Sequence, residues 1–126
     1  MPAKPLTPDH PRSLKPIIFD ILVILARGDC HGWSIVKALE SGPGGWKRVL
    51  PGNLYRTLRD MQERGLIEES ETRPHPEEDD ERRRYYGITD LGRAAVREEA
   101  LRMTNRLRAA YAADLLPAIG LSNLHK

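Results

Sequence analysis

The stretch "NLYRTLR" places Asn53, Tyr55, Arg56, Thr57 and Arg59 within two helical turns. Arginine can bond a guanine edge bidentately, asparagine an adenine edge, and a threonine methyl can touch thymine. Residues near a helix N-terminus usually reach base edges, so Asn53, Arg56 and Thr57 are the base-reading candidates. Arg59 is the phosphate candidate. Tyr55 stands beside Leu54, where it either packs into the core or turns its hydroxyl to a phosphate. The alternative for the whole row is a solvated helix face.

A second basic set, Arg82, Arg83 and Arg84, follows five consecutive acids, Glu77 to Glu81, and precedes Tyr85 and Tyr86. Long basic side chains there can swing to phosphates. They can also pair across a hairpin with Glu69 and Glu71, at only about 0–1 kcal/mol for exposed pairs. The acids run against a phosphate-facing role. Three readings stay open for them: a loop pointing away, a loop folded back on the arginines, or a surface for another protein. The first is favoured. Acids there would also lower non-specific affinity, because that term comes from counterion release.

Other chemistry finds little support. Cys30 is the only cysteine, so no intramolecular disulfide can form and a reducing compartment fits. Cys30 and His31 are too few for a metal site. They read better as a small buried thiol and a histidine near a helix N-terminus, where His31 could also meet a phosphate. His10, His31, His75 and His125 are scattered, and there is no phosphate-binding glycine loop, HExxH or nucleophile elbow. No enzyme activity, cofactor or metal is expected.

These candidates need elements to hold them. In 126 residues of net charge +2 one domain plus an appendage is expected. Residues 1–13 carry Pro2, Pro5, Pro8 and Pro11 and read as an extended arm. "IIFDILVILA", Ile17 to Ala26, is apolar nearly all round, as a central helix is, but too short for a bilayer. With no secretory h-region, a cytoplasmic protein is expected. A second helix is expected over Gly32 to Glu40, with Trp33, Val36, Ala38 and Leu39 inward and Ser34 and Lys37 outward. "SGPGGWK" is a turn. A third helix begins at Pro51 and stops near Gly65. Leu54, Leu58 and Met61 recur at i, i+4 and i+7 on its buried face.

"LIEESETR" and "RRRYYGIT" read as the strands of a long-tipped hairpin. On the second strand Tyr86 shares a side with Ile88 and should face the core, leaving Arg83 and Tyr85 outward. Thr89 is a natural N-cap for a last helix that Pro117 should end. That helix is too long for so small a domain to cover. Leu91, Leu101, Leu107, Tyr111 and Leu115 are the residues expected to pair subunits, although the stripe is no clean heptad.

This order is that of a winged helix-turn-helix: mainly α, with a small β-hairpin and one long C-terminal dimerisation helix. Three blocks sharpen it. "FDILVILARGDCHGWSIVKALE", "LPGNLYRTLRDMQERGLIEE" and "RRRYYGITDLGR" resemble the PadR family of transcriptional regulators, short C-terminal-helix subgroup, over roughly Leu14 to Glu99. The resemblance implies a sequence-specific regulator of double-stranded DNA, a repressor acting as a homodimer on a pseudo-palindromic operator. An effector of unknown identity would release it from a pocket between the last helix and the DNA-binding domain. Asn53 stands where the family usually has threonine, so no operator preference is carried over. The family's drug-binding members place a tryptophan on the last helix, where this chain offers only Tyr111. Expected boundaries are 1–13 for the arm, 14–90 for the DNA-binding domain, 91–116 for the dimerisation helix and 117–126 for a tail. The runner-up function is a winged-helix protein-interaction module.

Overall fold

The computed structural model describes residues 13–71 and 83–117. Its elements are α1 (Pro16–Ala26), β1 (Cys30–His31), α2 (Gly32–Ser41), α3 (Pro51–Glu63), β2 (Ile67–Ser70), β3 (Tyr85–Ile88) and α4 (Asp90–Ala112). The chain divides into one compact unit over 1–96 and a second over 97–126, so α4 begins in the first and ends in the second. The fold is mainly helical with a small antiparallel sheet, as a winged helix requires. The proline-rich arm before Ser13, the acidic run, Arg82 and the tail beyond Pro117 lie outside the described residues.

The first unit is built around α1. Pro16 occupies its first turn, where the missing N–H costs nothing. Ile18, Ile21, Leu22 and Leu25 are buried against α2 and β3. The buried face of α2 is Ile35, Val36 and Leu39, and that of α3 is Leu54, Leu58 and Met61. Full burial of an aliphatic side chain contributes about 1.5–3 kcal/mol, so these rows fix how the three helices cross. Trp33, expected inward, is instead 58% exposed. Ile35 takes the inward place, and Trp33 stands about 160° round the helix from it.

Helix α3 ends as its glycine predicts. Gly65 adopts φ +76°, its N–H bonds the carbonyl of Gln62, and the N–H of Leu66 bonds that of Met61. These paired bonds around a left-handed residue are a Schellman cap. The turn before α3 is more constrained. Gly45 has φ +72°, and Arg48 adopts φ +51° without being glycine. Two long-range bonds hold this turn. The Trp46 indole N–H donates to Asp20 at 2.7 Å, and the Val49 N–H to the Glu40 carboxylate at 3.0 Å. Asp20, the one charge inside the apolar α1, is therefore an anchor for the turn.

The sheet corrects the hairpin expectation in two ways. It has three strands in the order β1-β3-β2, because Cys30 and His31 pair with Tyr86 and Tyr85 on the side of β3 away from β2. Tyr85 therefore does not face out. It is 6% exposed, with the His31 ring edge-on at 5.2 Å, while Tyr86 is inward as expected. The arginines also fall outside the strand: β3 starts at Tyr85, and Arg83 and Arg84 precede it.

Thr89 caps α4 by accepting the N–H of Gly92, as expected. Its hydroxyl also faces the carbonyls of Gly65 and Leu66, at 2.6 and 3.0 Å. A Cβ at position 92 would collide with the Leu66 carbonyl, so glycine is required there. The helix stops at Ala112, before Pro117, because Asp114 turns left-handed (φ +60°) and a second Schellman cap forms. Leu115 consequently lies beyond the helix.

Candidate nucleic-acid interface

Helix α3 presents a continuous polar row. Asn53, Arg56 and Arg59 are exposed and Thr57 is half-buried. The Thr57 hydroxyl donates to the Asn53 carbonyl at 2.9 Å, which leaves its methyl and an oxygen lone pair for a partner. Arg64 pairs with Asp60 at 3.6 Å, one turn back on the same helix. The two readings of Tyr55 separate here: it is 52% exposed and is not part of the core. Its hydroxyl lies over Gly32, where any Cβ would sit 3.0 Å from the phenolic oxygen.

Between the first turn of α2, Tyr55 and the chain entering β3 lies an open cleft of about 440 Å³, lined by His31, Gly32, Trp33, Tyr55, Arg83, Arg84 and Tyr86. It therefore borders α3 on one side and two wing arginines on the other. Arg84 forms an exposed ion pair with Glu69 at 3.6 Å, the cross-hairpin pairing weighed above. An exposed pair of this kind is worth about 0–1 kcal/mol and yields readily to a phosphate.

His31 is the N-cap of α2. Its Nδ1 accepts the N–H of Ser34 at 3.3 Å, so in this neutral tautomer the proton is on Nε2, which donates to the Ser34 hydroxyl at 3.0 Å. The Arg83 guanidinium, 3.3 Å from Nε2, is then a charge neighbour rather than a donor. Burial, and secondly Arg83, hold the His31 pKa below its ordinary value of 6.5. Burial and the neighbouring Asp29 raise that of Cys30, whose thiol donates to the Gly28 carbonyl, so Cys30 stays a thiol.

The cleft gathers Tyr55, Arg83 and Arg84 from the expected set. Asn53, Arg56, Thr57 and Arg59 lie along α3 outside its lining, and Arg82 is not among the described residues. Sequence reasoning missed Trp33, whose ring carries the Lys37 ammonium 5.0 Å from its centroid. The available signal was its place directly after His31 and Gly32, in the first turn of a helix. Apolar periodicity alone pointed it inward.

The expected pairing residues are all exposed: Leu91, Leu101, Leu107, Tyr111 and Leu115. Leu107 and Tyr111 continue a stripe that starts at Met103, at i, i+4 and i+8. Leu101 lies about 120° round the helix from Leu107.

A sequence model of the transcriptional regulator PadR-like family matches residues 21–98, which run from the middle of α1 into the first half of α4. The chain belongs to this family. The transcriptional regulator YqjI of Escherichia coli is 45% identical over 47 residues, which are 37% of this chain and 23% of YqjI. The match thus spans less than a quarter of that relative's length. RosR of H. salinarum superposes with a TM-score of 0.60 at 27% identity, covering 83% of this chain and 96% of RosR. A PadR-like transcriptional regulator from Bacillus cereus gives a TM-score of 0.63 at 24% identity, over 80% of this chain and 92% of its own. A PadR family transcription regulator from Clostridium difficile also gives 0.63, at 22% identity over 78% and 97%. These last two are similar in fold. The PadR winged helix is thus shared over most of the described chain.

Proposed function

We propose that this PadR-family chain is a cytoplasmic, homodimeric repressor that reads a pseudo-palindromic DNA operator through α3 and is released by a small-molecule effector. The observation that carries this reading is the exposed row Asn53, Arg56, Thr57 and Arg59 on α3, bordered by a cleft that carries Tyr55, Arg83 and Arg84. In the proposed complex α3 enters the major groove, with Asn53, Arg56 and Thr57 on base edges and Arg59 on the backbone. Arg83 and Arg84, together with Arg82, hold the flanking phosphates. The cleft between them receives the backbone that leaves the groove, with the Tyr55 hydroxyl as a donor. Paired chains would set their α3 helices about 34 Å apart, one turn of the duplex. A dimer interface is proposed through Leu91, Leu101, Leu107 and Tyr111 of α4 and Leu115 just beyond its end. No helix among the described residues is long and apolar enough to cross a membrane.

The test is a gel shift on genomic fragments that include the chain's own promoter. Arg56→Ala should cost about 1–3 kcal/mol and relax specificity at one base position. Arg59→Ala should weaken all sequences alike and lower the salt slope by about one. An unaltered shift in the double variant removes α3 from the reading role.

A further inference from the structure

A second cleft, of about 350 Å³, lies between α1, the end of α2 and the turn that leads into α3. Val23, Ile24, Pro43 and Trp46 give it apolar walls, Ser41 and Arg27 add polar groups, and Asp20 supplies a carboxylate. Asp20 Oδ2 accepts the Trp46 indole N–H at 2.7 Å. One N–H does not saturate a carboxylate, which offers about four lone-pair sites. The backbone at Gly44 is pressed against this pair so closely that a Cβ there would strike both Asp20 and Trp46. The carboxylate is thereby held in place at the edge of the Trp46 ring. Arg27, which also lines the cleft, stands two helical turns along α1 from Asp20, a backbone rise of roughly 10 Å.

We propose that this cleft binds a small organic cation with an aromatic or aliphatic body, and that its occupancy alters DNA binding. The ammonium joins Asp20 Oδ1 at the edge of the Trp46 ring, where the carboxylate favours positive charge. The body fills the apolar walls, as in ligand sites with few polar groups. The Asp20–Trp46 bond ties the α2–α3 turn to α1, so a ligand that shares Asp20 shifts the turn that aims α3. The binding half stands on the cleft alone. The regulatory half rests on the function proposed above.

The test follows the Trp46 indole ¹H–¹⁵N resonance of the full chain, without DNA, during titration with phenethylammonium, 2-phenylethanol or 3-phenylpropionate. Trp33→Phe identifies the Trp46 signal. Phenethylammonium should move that resonance and bind about tenfold more tightly than the alcohol, a difference typical of one charge-assisted bond. Asp20→Asn keeps an acceptor for the indole and should erase this preference while leaving the alcohol unchanged. An unmoved resonance at millimolar probe, equal binding of the three compounds, or an unchanged preference in Asp20→Asn would overturn the site. In a parallel gel shift, saturating phenethylammonium should change promoter affinity at least about threefold, a modest coupling free energy. Binding without that change overturns the regulatory half. A chain that shifts no DNA even without probe refutes the DNA reading and leaves the titration result intact.

Discussion

Arg48 carries a local cost that its sequence context does not advertise. A left-handed φ in a residue with a Cβ costs about 1–2 kcal/mol. At φ +51° the residue sits one position before Val49, whose N–H is held by Glu40. Arg48→Gly should therefore be neutral or stabilising by up to about 1 kcal/mol. Arg48→Val, β-branched and intolerant of that φ, should destabilise by about 2 kcal/mol. Urea unfolding of the pair decides it, and equal effects would mean the turn relaxes. His31 offers a pH prediction. Its folded pKa lies below its ordinary 6.5, so as pH falls the unfolded chain takes up the proton first. Stability should be insensitive to this residue above 6.5 and fall as pH drops below it, until the folded pKa is passed. Protonation also turns Nδ1 from the acceptor of the α2 cap into a donor. His31→Asn keeps a capping acceptor without a titration, so its melting temperature should vary less with pH over that window. Parallel curves for the two proteins would count against the cap.

Among the elements, α3 was the most legible, for reasons that can be named. Pro51 and Gly65 bracket a clean apolar period, and each does locally what its backbone chemistry allows. Strand β1 was not legible, because two residues have no period to detect. Without β1 on its flank, strand alternation alone points Tyr85 outward, whereas pairing with His31 buries it. Trp33 shows a related limit: apolar type alone does not imply burial, and an indole at a helix start can serve a surface. The last helix ends before Pro117 because Asp114 carries a left-handed cap that glycine usually signals. Thr89 was legible as a cap, but its second role, facing the carbonyls that follow α3, depends on tertiary packing. That double role separates two variants. Thr89→Ala should cost about 1–2 kcal/mol, whereas Thr89→Ser, which keeps the hydroxyl, should recover most of it in thermal unfolding.

For the whole molecule, the exposed stripe Met103, Leu107 and Tyr111 makes assembly the property to measure. If two chains pair along this stripe, which shares Leu107 and Tyr111 with the proposed interface, Met103→Glu with Leu107→Glu should convert a dimer to a monomer in sedimentation equilibrium. Operator affinity should then drop far more than half-site affinity, because the second half-site no longer binds at high effective concentration. A double variant that stays dimeric would move the interface off this stripe.

The Thr89 hydroxyl touches the chain leaving α3 and the first turn of α4 at one point. It works as a welded corner rather than a hinge. With Gly92 seated on the Leu66 carbonyl, the start of α4 cannot swivel without prying open the end of α3. A partner that grips the start of α4 therefore also holds the end of α3, the helix proposed to read DNA.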